Sequence, residues 1–184
     1  VGRDTGLDEK DPDHWVTALR QYWQGVEGMT EAIEVHFVDD IIPGYFWIFP
    51  LEDGKANVGL GMMERDIEER NVDLRELMAK AIANPLFKDR FATGKPLERP
   101  VQWDLPLGSK RRKMYGNGWM LAGDAAGLID PFTGEGVGEA MHSGKMAAHA
   151  AKEAIEAGDV SESFLKRYDD RFWEYLGPEL MLSH

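Results

Sequence analysis

The chain has 184 residues, 43% hydrophobic and 29% charged, and its 21 basic against 33 acidic side chains leave a formal net charge of −12. This is an ordinary globular composition with room for one sizeable core or two small lobes, and its acidity argues against a nucleic-acid face and against unspecific adhesion to anionic membranes. With no cysteine there is no disulfide framework, thiolate metal site or cysteine nucleophile, which suits a cytoplasmic protein.

The longest apolar stretch, 41–51, holds two prolines and a glycine and is too short to span a bilayer. Peripheral contact with a membrane through an apolar patch stays open. No signal peptide is visible, and the chain starts at Val1 rather than Met, so a piece of a longer protein is expected.

The first third reads as strands. Residues 18–26 are aromatic-rich and end near Gly25. Residues 31–38 alternate Ile33, Val35 and Phe37 against Glu34 and His36, which predicts a strand with the apolar set buried. Residues 45–51 and 55–62 flank Glu52-Asp53-Gly54, a hairpin signal. A two-residue turn at Asp53-Gly54 would set Phe49 opposite Val58, Trp47 opposite Leu60 and Tyr45 opposite Met62. Phe46 and Ile48 would then face Gly61 and Gly59 on the other side.

Residues 71–84 have helical spacing with Asn71 as the N-cap, and Pro85 interrupts the pattern. Residues 95–107 read as extended, Lys110 to Lys113 as a basic loop and 118–122 as a buried strand. A helix is expected over 137–157, stopped by Gly158. A last one, capped by Ser161 or Ser163, carries Phe164, Tyr168, Phe172, Tyr175 and Leu176 on one stripe.

The chemistry concentrates in residues 118–141, GWMLAGDAAGLIDPFTGEGVGEAM. An apolar run ends in Gly123-Asp124. Small residues follow, then Asp130-Pro131, then Gly134-Glu135-Gly136 and a helix. Strand, small-residue turn and helix start together build an anion site, because free N–H groups and the positive helix end converge there. Glycines at 127, 134 and 136 let a flat or phosphate-bearing ligand touch the backbone. A carboxylate at a strand end accepts hydrogen bonds from sugar hydroxyls. Asp124 is therefore read as a ribose or ribityl ligand, and Gly134 to Val137 as a backbone cradle. No G-x-G-x-x-G occurs, so this is not the Rossmann fingerprint.

Gly123-Asp124-Ala125-Ala126-Gly127, Asp130-Pro131 and Gly134-Glu135-Gly136-Val137 resemble the second flavin-binding motif of the p-hydroxybenzoate-hydroxylase-like FAD enzymes. That resemblance implies cofactor contacts at Gly123, Asp124, Ala125, Gly127, Pro131, Gly134, Glu135, Gly136 and Val137. Pro43-Gly44-Tyr45-Phe46-Trp47-Ile48-Phe49-Pro50, followed by Asn57-Val58-Gly59-Leu60-Gly61, resembles the geranylgeranyl reductase family. Residues 18–26 and 168–177 fit the same family. The resemblance implies a substrate cavity lined by Tyr45, Trp47, Phe49, Gly59 and Gly61, bound FAD, and NAD(P)H or another electron donor. The implied reaction saturates carbon–carbon double bonds of a prenyl or isoprenoid lipid. The family's N-terminal Rossmann half is absent from this sequence.

The fold expected is mixed α/β, an antiparallel substrate-domain sheet with helices plus part of a Rossmann-like FAD-binding lobe. Its expected bounds are 1–115 for the substrate domain, 116–158 for the flavin part and 159–184 for the C-terminal helix. Two rival functions share the scaffold. One is an FAD monooxygenase or halogenase, although no tryptophan-rich halogenase motif is seen. The other is a non-enzymatic lipid-binding domain. Lys110 to Lys113 could meet a pyrophosphate or form a solvated loop. His142 and His149 read as packing or surface residues, and His14, His36 and His142 have no metal-ligand spacing with any acidic pair. Tyr45 is a candidate proton donor, with no residue assigned to catalysis.

Overall fold

The computed structural model describes residues 10–183 and is mixed α/β. It divides into a unit spanning Trp15–Asp104 and a second formed by the residues on either side of it.

The first unit is built on β1 (Trp15–Gln24), β2 (Glu34–His36), β3 (Tyr45–Pro50) and β4 (Lys55–Met63). Helices α1 (Glu64–Arg70) and α2 (Leu74–Ala83) follow, then β5 (Lys95–Pro96) and β6 (Val101–Pro106). The sheet runs β2-β3-β4-β1-β5, antiparallel along that path, with β6 also paired to β1. Its inner face carries Leu19, Phe46, Ile48, Val58, Leu60 and Met62, which cluster with Leu74, Leu77, Met78 and Ala81 of α2. These α2 positions recur at helical spacing, so one stripe of the helix is buried with the sheet.

The hairpin register differs from the expected one by a single residue. The loop is three residues, Glu52–Gly54, closed by the Leu51 N–H donating to the Lys55 carbonyl at 2.8 Å. Asp53 and Gly54 are both left-handed, at φ 58° and 67°. Tyr45 therefore pairs with Gly61, Phe46 with Leu60, Trp47 with Gly59, Ile48 with Val58 and Phe49 with Asn57. A one-residue slip exchanges the partner faces completely. The three aromatics thus share the glycines' face, while Phe46 and Ile48 enter the core.

Strand β2 is also turned over relative to expectation. Ile33 and Phe37 flank it at 69% and 70% exposed, and Val35, paired with Trp47, is exposed too. Glu34 and His36 take the other side. Arg90 donates to both Glu34 oxygens, at 2.6 and 2.8 Å, and holds that carboxyl below its usual range. The His36 ring meets Phe87 edge-on at 4.7 Å. An ion pair and an aromatic contact complete the inner side that the alternation had assigned to the apolar set.

The α2 cap is Asp73, which accepts from the N–H of Arg75 at 2.7 Å. Asn71 instead ends α1 in a left-handed conformation, φ 49°. Both residues cap readily, and the unanticipated α1 takes Asn71 for its C-terminus.

The second unit contains the hairpin β7 (Tyr115–Gly116) and β8 (Trp119–Met120), then α3 (Val137–Ala157), α4 (Glu162–Tyr175) and α5 (Gly177–Leu182). The strand expected over 118–122 is only the two-residue β8, which leads into a 3₁₀ turn at Gly123–Ala126. Helix α3 has the expected bounds, with Gly158 left-handed at its C-cap. Ser161 caps α4 by accepting from the Phe164 N–H at 3.3 Å. The buried α4 stripe is Leu165, Tyr168, Phe172 and Trp173, with Asp169, while Tyr175 is exposed.

Tyr168 is fully buried and donates its hydroxyl to the Leu121 carbonyl at 2.7 Å. Burial pushes its pKa from 10.0 up to about 12. Tyr168→Phe leaves a buried carbonyl unpaired and is expected to cost about 1–3 kcal/mol in urea unfolding at neutral pH. The raised pKa adds a sign. Stability linked to the neutral phenol is complete below the unfolded value of 10.0 and is lost as pH rises through about 12. The variant should lack that alkaline loss.

Candidate functional site

The Gly/Asp segment folds onto the start of α3. The Gly123 N–H donates to Ser143 Oγ at 3.0 Å, and Ser143 Oγ donates to the Glu139 carbonyl at 2.6 Å. Gly123 is left-handed, and a Cβ there would stand 2.9 Å from Ala140 Cβ. Turn and helix approach too closely for a side chain. Gly127, also left-handed, closes the turn with its N–H on the Asp124 carbonyl at 3.0 Å.

Asp130 shapes the next loop. Its Oδ1 accepts from the N–H groups of Phe132 and Thr133 and from the Thr133 hydroxyl, at 3.1, 2.7 and 2.8 Å. Its own N–H donates to the Glu135 carbonyl at 2.8 Å, and the Gly134 N–H returns to the Asp130 carbonyl at 3.0 Å. Pro131 and Gly134 are half-buried on this closed loop, and Glu135 is exposed.

The loop delivers the chain to Gly136, the N-cap of α3, where no side chain caps the helix. The helix's own bonding begins with the Ala140 N–H on the Gly136 carbonyl at 2.9 Å. The N–H groups of residues 137–139 therefore have no acceptor within the helix and emerge at its positive end. Asp124 Oδ1 lies 3.0 Å from where a Gly136 Cβ would stand, and Ile129 Cγ1 lies 3.2 Å away. Any side chain at 136 would press on the carboxylate. Asp124, Gly136 and the helix start are thus brought together, with Asp124 and Ala125 exposed. Glu139, one turn in, has its carboxyl pushed up by burial and then by the negative charge of Asp130, Glu135 and Glu179.

The basic loop is solvated at Lys110, Arg111 and Lys113, which stay exposed, and each of the three also pairs with a carboxylate. Lys110 pairs with Asp11 at 2.6 Å, Arg111 with Asp169 at 2.5 Å and Lys113 with Glu162 at 2.7 Å. Arg112 instead donates to the Leu107 carbonyl at 2.7 Å. Its Nη1 lies 2.8 Å from the Cβ position of Gly127, directly behind the small-residue turn. Burial pulls its pKa down. The sequence offered the whole run Lys110 to Lys113 for a pyrophosphate, but nothing in four consecutive cations distinguishes the one that tucks under a glycine.

The sheet unit carries a second cluster. Tyr45, Trp47 and Phe49 form a row with centroid spacings of 5.9 and 5.9 Å. Trp47 lies on Gly59, where a Cβ would sit 2.2 Å from its Cζ2. The indole N–H donates to Asn57 Oδ1 at 3.1 Å, which fixes the ring in plane. Gly61 leaves a shallower gap, its Cβ position 4.0 Å from Trp47 and 3.4 Å from Val16. Ala18 and Arg20 of β1 share this face through their pairing with Gly61 and Gly59. Burial raises the Tyr45 pKa, so its phenol is a weaker acid than a free tyrosine. Among the described residues no group of His, Asp and Glu could hold a metal ion.

The model of the geranylgeranyl reductase catalytic domain matches residues 15–93, nearly the whole sheet unit with its aromatic row. Digeranylgeranylglycerophospholipid reductase 1 of Methanopyrus kandleri is 37% identical over 176 residues, 95% of this chain. The chain belongs to the geranylgeranyl reductase family. The corresponding reductase of Methanosarcina acetivorans is 36% identical over 189 residues, 100% of this chain. A geranylgeranyl bacteriochlorophyll reductase-like structure from Thermoplasma acidophilum superposes with a TM-score of 0.81 at 31% identity, covering 94% of this chain and 43% of that one. The flavin-dependent brominase Bmp2, at 21% identity and TM-score 0.70, covers 92% of this chain and 42% of its own, and shares the fold. The chain spans 45% and 44% of the two curated geranylgeranyl reductase relatives, less than half of each.

Proposed function

We propose that the protein is an FAD-dependent oxidoreductase that saturates carbon–carbon double bonds of a prenyl lipid. The observation that carries this reading is the aromatic row laid on glycines, inside a family match, in a chain that also presents a side-chain-free helix start beside Asp124. FAD fits the residues present. Asp124 is an exposed carboxylate beside the start of α3, where no side chain caps the helix and the N–H groups of residues 137–139 have no acceptor within it.

FAD, when bound, supplies the hydride for alkene reduction. Asp124 accepts hydrogen bonds from ribityl or ribose hydroxyls. The N–H groups at Gly136 and Val137 stabilise negative charge on an electron-rich ring edge, helped by the helix dipole. Glu135 and Pro131 shape the approach, and Ala125 keeps the turn thin. Arg112, beneath Gly127, places a positive charge behind the turn that suits a pyrophosphate. On the sheet, Tyr45, Trp47 and Phe49 form the wall of an apolar slot, and Gly59 and Gly61 give it depth. The raised Tyr45 pKa favours a wall role over proton donation to an alkene. NAD(P)H or another reductant is the electron source. No helix among the described residues is long and apolar enough to cross a membrane.

The test uses protein expressed from the complete gene, supplied with FAD, reductant and a geranylgeranylated lipid. Mass spectrometry should show two hydrogens gained per reduced bond. Incorporation of oxygen or halide would replace this reading with the monooxygenase or halogenase. Lipid binding by a protein that takes up no flavin would leave the non-enzymatic alternative.

A further inference from the structure

Asn57 is a polar side chain on an aromatic face. In the register of the sheet it lies between Phe49 of β3 and Tyr22 of β1. A half-buried carboxamide there is costly unless it is paired, and its oxygen accepts from the Trp47 Nε1–H at 3.1 Å. Trp47 itself is paired with Gly59, so this bond reaches diagonally to the next position on the same face of β4. The contacts of the indole follow that strand in order. Nε1 meets Asn57, Cε2 and Cζ2 lie 2.6 and 2.2 Å from where a Gly59 Cβ would stand, and Cζ3 lies 4.0 Å from that of Gly61. One edge of the indole therefore runs down the furrow that the two glycines leave. Phe49 follows the plane of the indole at 28°, whereas Tyr45 is tilted by 60°.

Shape alone does not fix this placement. The second torsion of an aromatic side chain is broad and roughly two-fold, so an indole can turn over about its Cβ–Cγ bond. Turned over, the Trp47 N–H would leave Asn57, and both groups would lose their partner on an apolar face. The hydrogen bond selects the one orientation that lies along the glycines. We propose that Asn57 is a positioning residue for the prenyl substrate: it holds Trp47 down in the glycine furrow and so keeps the slot above the indole open to a prenyl chain. This role rests on the aromatic row being the substrate wall. Asn57 touches no reacting atom and acts through Trp47.

The test is equilibrium binding of tritiated geranylgeraniol to FAD-loaded protein from the complete gene, followed by mass spectrometry of the product. Asn57→Leu, similar in size but without an acceptor, should weaken binding about tenfold, the scale of one lost hydrogen bond. Asn57→Asp keeps an acceptor at the same reach and should bind nearly as wild type does. In a Trp47→Phe background, which has no N–H to hold, Asn57→Leu should change affinity no further. Damage to the sheet by the substitution itself would persist in that background. Circular dichroism checks that each variant is folded, and Asn57→Ser, too short to reach the indole, replaces Asn57→Leu if that variant is not. The proposal is overturned if Asn57→Leu binds as tightly as wild type, or if its loss is undiminished without the Trp47 N–H. Wild type that binds geranylgeraniol but saturates no bond would remove the reductase reading, while the affinities still decide the role of Asn57. Wild type that does not bind it would overturn the slot and the role of Asn57 with it.

Discussion

Gly59→Val is expected to destabilise the sheet unit by about 3 kcal/mol, the upper end of overpacking penalties. A Cβ at 59 would stand 2.2 Å from Trp47 Cζ2 and 2.5 Å from the Leu19 carbonyl. Neither neighbour yields easily. The carbonyl belongs to the central strand β1, paired to β4 along its length. The indole is hydrogen-bonded to Asn57 and stacked against Phe49 at 28° between planes. Gly61→Ala is the matched control. Its Cβ would meet nothing closer than 3.4 Å, so a change below about 1 kcal/mol is expected. Urea unfolding followed by tryptophan fluorescence reads both. If the two variants unfold at the same concentration, Trp47 does not rest on Gly59 as described.

Asp124→Ala should lower flavin affinity about ten- to a hundredfold without unfolding the protein. Hydrogen bonds to a charged acceptor contribute about 1.5–3 kcal/mol, and each 1.4 kcal/mol is a tenfold change. The side chain is exposed, so its removal opens no cavity. Asp124→Asn keeps an acceptor oxygen and should fall between wild type and alanine. The measurement is flavin absorbance per protein after purification, followed by FAD titration of the apoprotein. Equal flavin in wild type and Asp124→Ala would remove Asp124 from the cofactor contacts.

Helices α3 and α4 were legible because their ends carry explicit chemistry, Gly158 in the left-handed region and Ser161 bonded to the Phe164 N–H, whereas the separate α5 was not foreseen in a segment read as one helix. The Gly/Asp turn was legible as a spacing of small residues, and its contacts explain that spacing: Gly123 against Ala140, Gly136 against Asp124. The aromatic row was found in sequence but given the wrong partners. Asp-Gly favours a two-residue turn locally, yet Leu51 pairs with Lys55 and makes it three. For β2, alternation showed that two faces differ but not which one is buried. Arg90, far along the chain, decides that by pairing with Glu34. The place of Arg112 within its basic run, and α1, were invisible for a related reason, since both are defined by contacts rather than by local pattern.

The sheet unit is an uninterrupted segment, while its companion is assembled from chain on both sides of it. Its two ends lie side by side: the Thr17 hydroxyl donates to Asp104 at 3.1 Å, and just outside it the Leu107 N–H donates to the His14 carbonyl at 3.0 Å. A segment that enters and leaves through adjacent residues behaves as a cassette, since its interior can lengthen or be replaced at little loop-closure cost to the host. On the ribosome the cassette emerges complete before α3 exists, so its strands can pair while residues 10–14 still wait for their partners. The aromatic wall of the sheet unit can then change between relatives while the Gly/Asp turn, in the other unit, stays unaltered.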